Sequence, residues 1–448
     1  MPRPPHLRLA LLLLGAPTSC LAAQTLTLAE ALARADRSAW ANEVARATLV
    51  ERRADAVQPR RGILPGVRTE LGWVRTTDPL TAFGLLLRQR GVTPAAFDPA
   101  ALNDPAARSN WGAAVVADVP LVNADAWAGR VAARAGVQAE VAVGEATREA
   151  VRLVVVRAYW GAVLAEAAVR TLARADTAAQ ARVRAIEAML RDGVVTRADL
   201  LLASVRAGEV AQQFVAARAG ARQARRQLAL ALGAPADTLL ELPVALPAPD
   251  TLAPSGTDTS RPTATLRAAE AGADAARADA RRLGAALLPR VNGFGRLDWN
   301  AAGTPFGGRS AWTVGVQASW SPWSGGAELA AAQAGVARRD AAEARARQAA
   351  AEAAVDRARA EDALGVARAR LALAERAVGQ ASEAHRIVAR KYEGGLATVS
   401  ELLEAQALET SMVLGRAAAR YEGLVAVAEW RRALGLGVEA VPLAPGTE

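Results

Sequence analysis

Arg390-Lys-Tyr-Glu-Gly-Gly-Leu-Ala-Thr-Val-Ser-Glu-Leu-Leu-Glu-Ala-Gln-Ala407 holds the break on which the reading of this chain turns. A heptad-like helical run leads into it and another helical run leaves it. Gly394-Gly395 ends the first helix, because glycine carries the highest backbone entropy cost and readily adopts positive φ. Thr398 or Ser400 is placed to cap the next helix, with Glu401 in its first turn. The stretch therefore reads as the tip of a long helical hairpin. It has a twin, Gly193-Val-Val-Thr-Arg-Ala-Asp-Leu-Leu-Leu-Ala203, which matches Gly395 to Ala405 without a gap. A repeat at this spacing marks duplication of a large unit, since a solenoid repeats every ~20–50 residues. The expected division is 24–233 and 263–437 for the two repeats, each a helix, a strand pair and a helical hairpin. Pro-rich 234–262 links them, and 438–448 forms a tail.

The hairpin arms are readable from their periodicity. No proline occurs from about Asp125 to Arg191, and Leu172, Ala175, Ala179, Val183, Ile186 and Leu190 trace an apolar seam toward the first tip. In the second half Leu364, Ala367, Leu371, Ala374, Val378, Ala381, His385, Val388 and Tyr392 recur in steps of three and four, a heptad pattern. The returning helices are expected over about Thr196–Leu232 and Val399–Leu434. An earlier helical segment, Thr25 to about Gln58, ends at Pro59.

Four stretches alternate with period two instead. They are expected as strands at 66–75, 111–119, 290–299 and 312–320. Val67, Leu71 and Trp73 oppose Arg68, Glu70 and Gly72, while Val291, Leu297 and Trp299 oppose Asn292, Arg296 and Asp298. Trp312, Val314, Val316 and Trp320 oppose Thr313, Gln317 and Ser319. Trp73, Trp111, Trp299, Trp312 and Trp320 lie at or beside strand ends, as aromatic girdles do at membrane interfaces. Four strands cannot close a barrel, whose smallest members have about eight, so subunits must pool them. The segments Thr76–Asn110 and Asn300–Ala311 read as exposed loops at one end.

The chain starts with the pattern of a secretory leader, 1–23: Arg3 and Arg8, then apolar Leu9 to Gly15. Cys20 is the sole cysteine, which excludes an internal disulfide. It is read either as removed with the leader or as a lipid-bearing residue. The formal charge of +9 comes from arginines scattered among acids at helical spacing. Nucleic-acid binders cluster their basic residues, so no nucleic-acid partner is expected. Beyond the leader His385 is the only histidine, and it sits on the heptad seam. No histidine metal cluster, Ser-His-Asp set or phosphate loop can be assembled, so neither an enzyme nor a cofactor is expected.

The order of strand pair, helical hairpin, linker, strand pair and helical hairpin resembles the TolC family of outer-membrane efflux proteins. Leu64-Pro65 and Leu288-Pro289 resemble its strand openers. Val119-Pro120-Leu121 and Ser321-Pro322-Trp323-Ser324-Gly325-Gly326 resemble its turns from strand into helix. Phe83-Gly84, Gln89, Thr93, Phe97, Leu102-Asn103, Pro105 and Asn110 resemble one branch's first extracellular loop. The Tyr392 to Gln406 tip is the most specific match. The resemblance implies a mixed α/β membrane protein. Long antiparallel helical hairpins would form a periplasmic barrel, and four strands per protomer would enter a trimeric twelve-stranded outer-membrane β-barrel. It implies a homotrimer in outer-membrane lipid, a passive exit duct. Its partners would be a periplasmic adaptor (membrane fusion) protein and an inner-membrane pump.

For the sites, the resemblance puts Glu401 and Glu404 at the positions of acids that ring the narrow periplasmic end. It matches Tyr392 and Asp199 to residues that bond across neighbouring helices to hold that end shut. The arginine completing this latch is absent, with Ala397 in its place. Gly193, Thr196, Gly394, Gly395 and Thr398 are expected at the adaptor-docking tips. Two other readings compete: a periplasmic coiled-coil structural or adaptor protein without a pore, and a hydrolase acting through carboxylates.

Overall fold

The computed structural model describes residues 25–249 and 261–438. The expected leader, Cys20 and 439–448 of the expected tail lie outside these residues. So does the middle of the Pro-rich link.

Among the described residues two short helices come first, α1 (Leu28–Ser38) and α2 (Trp40–Asp55). Thr27 caps α1 in a reciprocal box with Glu30. The single helix expected over this segment is broken at Ala39, whose backbone is extended. The cause is non-local. A Cβ at Gly233 would lie 1.8 Å from the Ser38 carbonyl oxygen, so the base of the first hairpin presses against the break. Ser38 Oγ donates to the Leu232 carbonyl at 2.7 Å, and Asn42 Nδ2 donates to that of Ala35 at 3.0 Å. These bonds tie the break to the base of that hairpin and to the last turn of α1.

Strand β1 (Gly66–Thr76) leads to a compact excursion, not an irregular loop: α3 (Pro79–Arg88), a 3-10 turn and α4 (Pro99–Asn103). Asp78 caps α3, and Asp98 caps α4. Proline at the first helical position replaces an N–H that has no partner in any case. Strand β2 (Arg108–Val122) starts earlier than expected, inside the segment read as loop. Then α5 (Ala124–Arg191), 68 residues and ~100 Å long, turns into α6 (Arg197–Ala231).

The second half repeats this order with α7 (Ala264–Ala285), β3 (Arg290–Ala301), β4 (Ser310–Ser319), α8 (Ala327–Glu393) and α9 (Val399–Ala433). Gly193 and Gly395 are separated by the same number of residues as Thr196 and Thr398, and as Gly233 and Gly435. The hairpins are thus copied residue for residue. Every predicted seam position of α5 and α8 is buried or half-buried. The α5–α6 and α8–α9 arms pair, with α7 between α5 and α8.

The four strands form one antiparallel sheet in the order β1-β2-β3-β4. Its register puts Arg68, Val116, Arg296 and Thr313 in one cross-strand row, and Thr69, Val115, Leu297 and Trp312 in the next. Sheet and helices are fastened where they meet. Arg290 donates through Nε and Nη2 to the two carboxylate oxygens of Asp125 at the start of α5, and Asn123 Nδ2 donates to Gly62 O and Asn292 Oδ1.

The main core lies midway along the hairpins. There Leu32, Val155, Val156, Tyr159, Trp160, Leu228, Leu232 and Leu424 are buried together. The described part of the Pro-rich link is not a bare tether. Leu240 and Leu246 enter this core, and the Glu241 carbonyl accepts from the Leu26 amide at 2.8 Å. Val438, read as the start of the tail, is buried there too. Tyr159 donates to the Leu26 carbonyl at 2.7 Å, and burial pushes its phenol pKa upward.

Candidate functional site

Two regions carry chemistry: the polar face of the sheet, and the hairpin tips at the far end.

Because side chains alternate along strands, the register sorts the sheet into two faces. One carries Val67, Leu71, Trp73, Trp111, Val115, Leu297, Trp299, Trp312, Val314 and Val316. Its β1 and β4 rows are bare: Val67 is 71% exposed, Trp312 73% and Val316 68%. Trp73, Trp111, Trp299 and Trp312 gather at the loop end of this face. Trp320 follows β4 at the helical end, where its Nε1 donates to Leu287 O at 3.2 Å. The span between the two groups is on the order of 30 Å at strand rise. That is close to the ~25 Å apolar band of outer-membrane barrels. The opposite face carries an ion-pair ladder across β1, β2 and β3. Asp118 pairs with Arg68, Arg68 with Glu70 (3.2 Å), Glu70 with Arg296 (2.9 Å), and Arg296 with Asp298 (2.7 Å). Half-exposed pairs of this kind contribute little to stability, ~0–1 kcal/mol each. Their consequence is a polar surface whose arginines and acids largely cancel. Sequence alternation gives the polar face, but only the register tells which acid meets which arginine.

At the tips the two halves use one device. Gly193 and Gly395 have φ of +72° and +73°. Gly193 N donates to Leu190 O and Val194 N to Met189 O; Gly395 N donates to Tyr392 O and Leu396 N to Lys391 O. This is the Schellman pattern, which satisfies the last carbonyls of a helix. A Cβ at either glycine would meet open space, so the requirement is the left-handed backbone alone. Gly394 is different. Its φ is −86°, which any residue adopts, so the break rests on Gly395 and not on the glycine pair.

Thr196 and Thr398 then start α6 and α9 as capping boxes. The Thr398 amide and hydroxyl donate to Glu401 Oε2 at 2.7 and 3.1 Å, and Glu401 N returns to Thr398 Oγ1. Asp199 does the same for Thr196. Ser400, the alternative cap, instead donates to Glu404 Oε1 at 3.3 Å. The Thr398 amide and then its hydroxyl lower the pKa of Glu401, with Lys391 nearby adding to the effect. The Thr196 hydroxyl and then its amide lower that of Asp199. Glu404 is exposed and close to Arg206, whose pKa is raised first by its bond to Glu209 and further by Glu404.

Ile186, Ala203, Val399 and Leu403 bury together between the tips, with Tyr392 half-buried beside them. Within one chain the Tyr392 hydroxyl donates to Met189 Sδ at 3.5 Å, and the Asp199 carboxylate is occupied by Thr196. His385, on the seam, bonds Glu409 at 2.6 Å. Among the described residues no group of histidine, cysteine and acids could hold a metal, and no helix is long and apolar enough to cross a membrane.

Residues 43–234 and 262–436 match the outer membrane efflux protein family, and the chain belongs to it. This is a family of outer-membrane channels, here with the long helical extension expected in the periplasm. The fold is shared with solved members of this kind. The outer membrane protein VceC of Vibrio cholerae superposes with a TM-score of 0.75 at 19% identity, over 92% of this chain and 97% of that one. The CmeC outer membrane channel of Campylobacter jejuni gives 0.77 at 15% identity, over 92% and 86%. The open state of the MtrE outer membrane channel of Neisseria gonorrhoeae gives 0.73 at 19%, over 92% and 90%. No curated protein sequence matches the chain. A pore-free coiled-coil protein gains no support from the family match or from the bare apolar face of the sheet.

Proposed function

We propose that three copies of this chain pool their sheets into one twelve-stranded barrel and their hairpins into one helical tunnel. The observation that carries this is the sheet itself: one apolar face, one polar face and two open edges. Among the described residues β1 and β4 each leave one row of backbone N–H and C=O groups without a strand partner. Within a bilayer each such group would cost several kcal/mol, so open edges are not tolerated there. Pairing β4 of one copy with β1 of the next closes every edge.

The tips support the same reading. Leu403 is buried, yet its counterpart in the first repeat, Leu201, is 58% exposed, and Val205 beside it is 60% exposed. One repeat finds its neighbour inside the chain. The other repeat's outer face is left for a second copy.

The duct is a passive exit without catalysis, fed from the periplasmic end by an adaptor protein and an inner-membrane pump. The tips at Gly193, Thr196, Gly395 and Thr398 are the adaptor-docking surface, and Gly394 accompanies them. Glu401 and Glu404 line the narrow end; Tyr392 and Asp199 hold it shut. The experiment is heat-modifiable migration and chemical cross-linking of the outer-membrane fraction. A trimer that resists salt extraction is expected, and a monomer released by salt alone overturns the reading.

A further inference from the structure

Among the described residues, only Arg90 and Phe306 have positive φ without being glycine, at 53° and 58°. Both lie in the connections at the outer end of the strands. Such a backbone is costly for a residue with a side chain and is held only where surroundings enforce it.

Arg90 is the clearer case. It ends α3 in a Schellman turn: Arg90 N donates to Leu87 O and Gly91 N to Leu86 O, both at 3.0 Å. The four long hairpin helices end in the same turn, at Gly193, Gly233, Gly395 and Gly435, and each uses glycine at the left-handed position. Only here does arginine stand in that place. Its guanidinium reaches the far side of the sheet, where Nη2 donates to Ser310 O at the start of β4, at 3.3 Å.

The residue before it, Gln89, donates through Nε2 to Ser109 O and to Asn110 Oδ1, both at 2.9 Å. Asn110 in turn donates to Asn300 Oδ1 at 3.0 Å. Asn110 is 3% exposed and lies on the face that carries the ion-pair ladder, two rows from Asn300. The end of α3 is therefore tied to the polar face at β2 and β3 by Gln89, and to β4 by Arg90. The second connection is held the other way, with Phe306 packed edge-on against Trp299 of the apolar face, centroids 5.7 Å apart.

We propose that Arg90 is a positioning residue that straps α3 across the outer mouth of the duct, so that three copies narrow it and set the size of solute that passes. The inference rests on the barrel reading above and takes the polar face, opposite the apolar one, to line the lumen. Glycine would make the turn at lower cost, and what arginine adds is the reach to β4.

The test uses size-graded maleimides added outside intact cells. Thr313→Cys puts a thiol on the polar face of β4, in the row of Arg68 and Arg296, and the chain without it gives the background. A small water-soluble maleimide is expected to label this cysteine alike with Arg90 or with Arg90→Gly. A maleimide carried on a bulky polyethylene glycol chain is expected to label it about tenfold faster in Arg90→Gly. A hydrogen bond from a charged donor shifts an open–closed equilibrium by about that factor. Heat-modifiable migration should be unchanged, because glycine suits the turn. Gln89→Ala removes the other tie at a residue of ordinary φ and should speed the bulky probe too, which keeps the test in force if Arg90→Gly does not assemble. Equal labelling by the bulky probe in all three overturns the inference and leaves the barrel standing. No labelling by the small probe overturns the barrel reading, and the inference with it.

Discussion

Thr398 and Glu401 cap one another at the second tip: the Glu401 carboxylate accepts from the Thr398 amide and hydroxyl, while the Thr398 hydroxyl accepts from the Glu401 amide. A residue proposed to line the narrow end thus also starts the helix that carries it. The bonds lower the pKa of Glu401 in the folded protein. A lowered folded pKa contributes stability that is complete above the unfolded value and is lost as pH falls through the folded one. The second tip is therefore expected to fray in acid, below the ordinary carboxylate range, before the hairpins part. Amide exchange at Leu402 and Leu403, compared at neutral and acid pH, measures this. Thr398→Ala should bring the same fraying at neutral pH, at a cost of about 1 kcal/mol. Exchange that ignores both changes would remove the box from the stability of the tip.

The two adjacent glycines should behave in opposite ways. Gly395 needs a left-handed backbone and Gly394 does not. Gly394→Ala is expected to be neutral or to stabilise by about 0.4–1 kcal/mol through the unfolded chain. Gly395→Val should strain the turn by about 1–3 kcal/mol and abolish export while the trimer still inserts. Export assays beside heat-modifiable migration separate the two effects. Normal export in Gly395→Val would remove the tip geometry from the mechanism.

Much of this architecture is legible in the sequence because it is encoded locally. The strands show it in the alternation of Val67, Leu71 and Trp73 with Arg68 and Glu70, and the seams in leucine and alanine steps. The tips show it in glycine followed three residues later by threonine. The break at Ala39 is not legible, because Ser38-Ala39-Trp40 contains neither glycine nor proline. It is imposed by Gly233, close in space but far along the chain. Helices α3 and α4 are hidden for another reason. Their prolines read as loop, although Asp78-Pro79 and Asp98-Pro99 are also helix starts. The partner of Tyr392 lies beyond local reading altogether, since Met189 belongs to the other hairpin.

Gly233 gives a sharp test of that long-range contact. A Cβ there would overlap the Ser38 carbonyl, and the left-handed φ of +67° adds strain. Gly233→Ala is expected to cost at least ~3 kcal/mol, near the upper end for single substitutions. Gly220→Ala on α6, where a Cβ meets nothing, should instead stabilise slightly. Thermal unfolding of the purified trimer compares them.

The two faces of the sheet predict unequal costs for charge. Val314→Lys or Val316→Lys puts a cation on the bare apolar face and should cost about 2–4 kcal/mol at mid-bilayer, with poor insertion. Gln317→Lys puts it on the polar face, in the row of Asn292, and should insert normally. The yield of trimer in the outer membrane reads the difference. Equal yields would mean that the faces are assigned the wrong way round.

The proposed gate role of Glu401 and Glu404 is testable through their charge. Rings of Glu401 and Glu404 across a narrow mouth would attract cations and repel anions. The unmodified duct is therefore expected to be cation-preferring and mostly closed in planar bilayers, with multivalent cations blocking from the periplasmic side. Arg206 near Glu404 tempers that field, and the capping bonds fix Glu401 in place. Glutamine at Glu401 can still serve the capping box, so Glu401→Gln with Glu404→Gln removes charge while keeping the helix start. Block and cation preference should both weaken in this variant, with assembly unchanged. Tyr392→Phe acts by another route. Within one chain it deletes only a weak bond to Met189 Sδ, so any rise in conductance reports a bond that the hydroxyl makes across the assembled tips. With Ala397 in the latch position, that rise is expected to be smaller than where the latch arginine is present. If the double glutamine variant keeps its block and its cation preference, Glu401 and Glu404 are helix-start residues alone, and the constriction lies elsewhere in the tunnel.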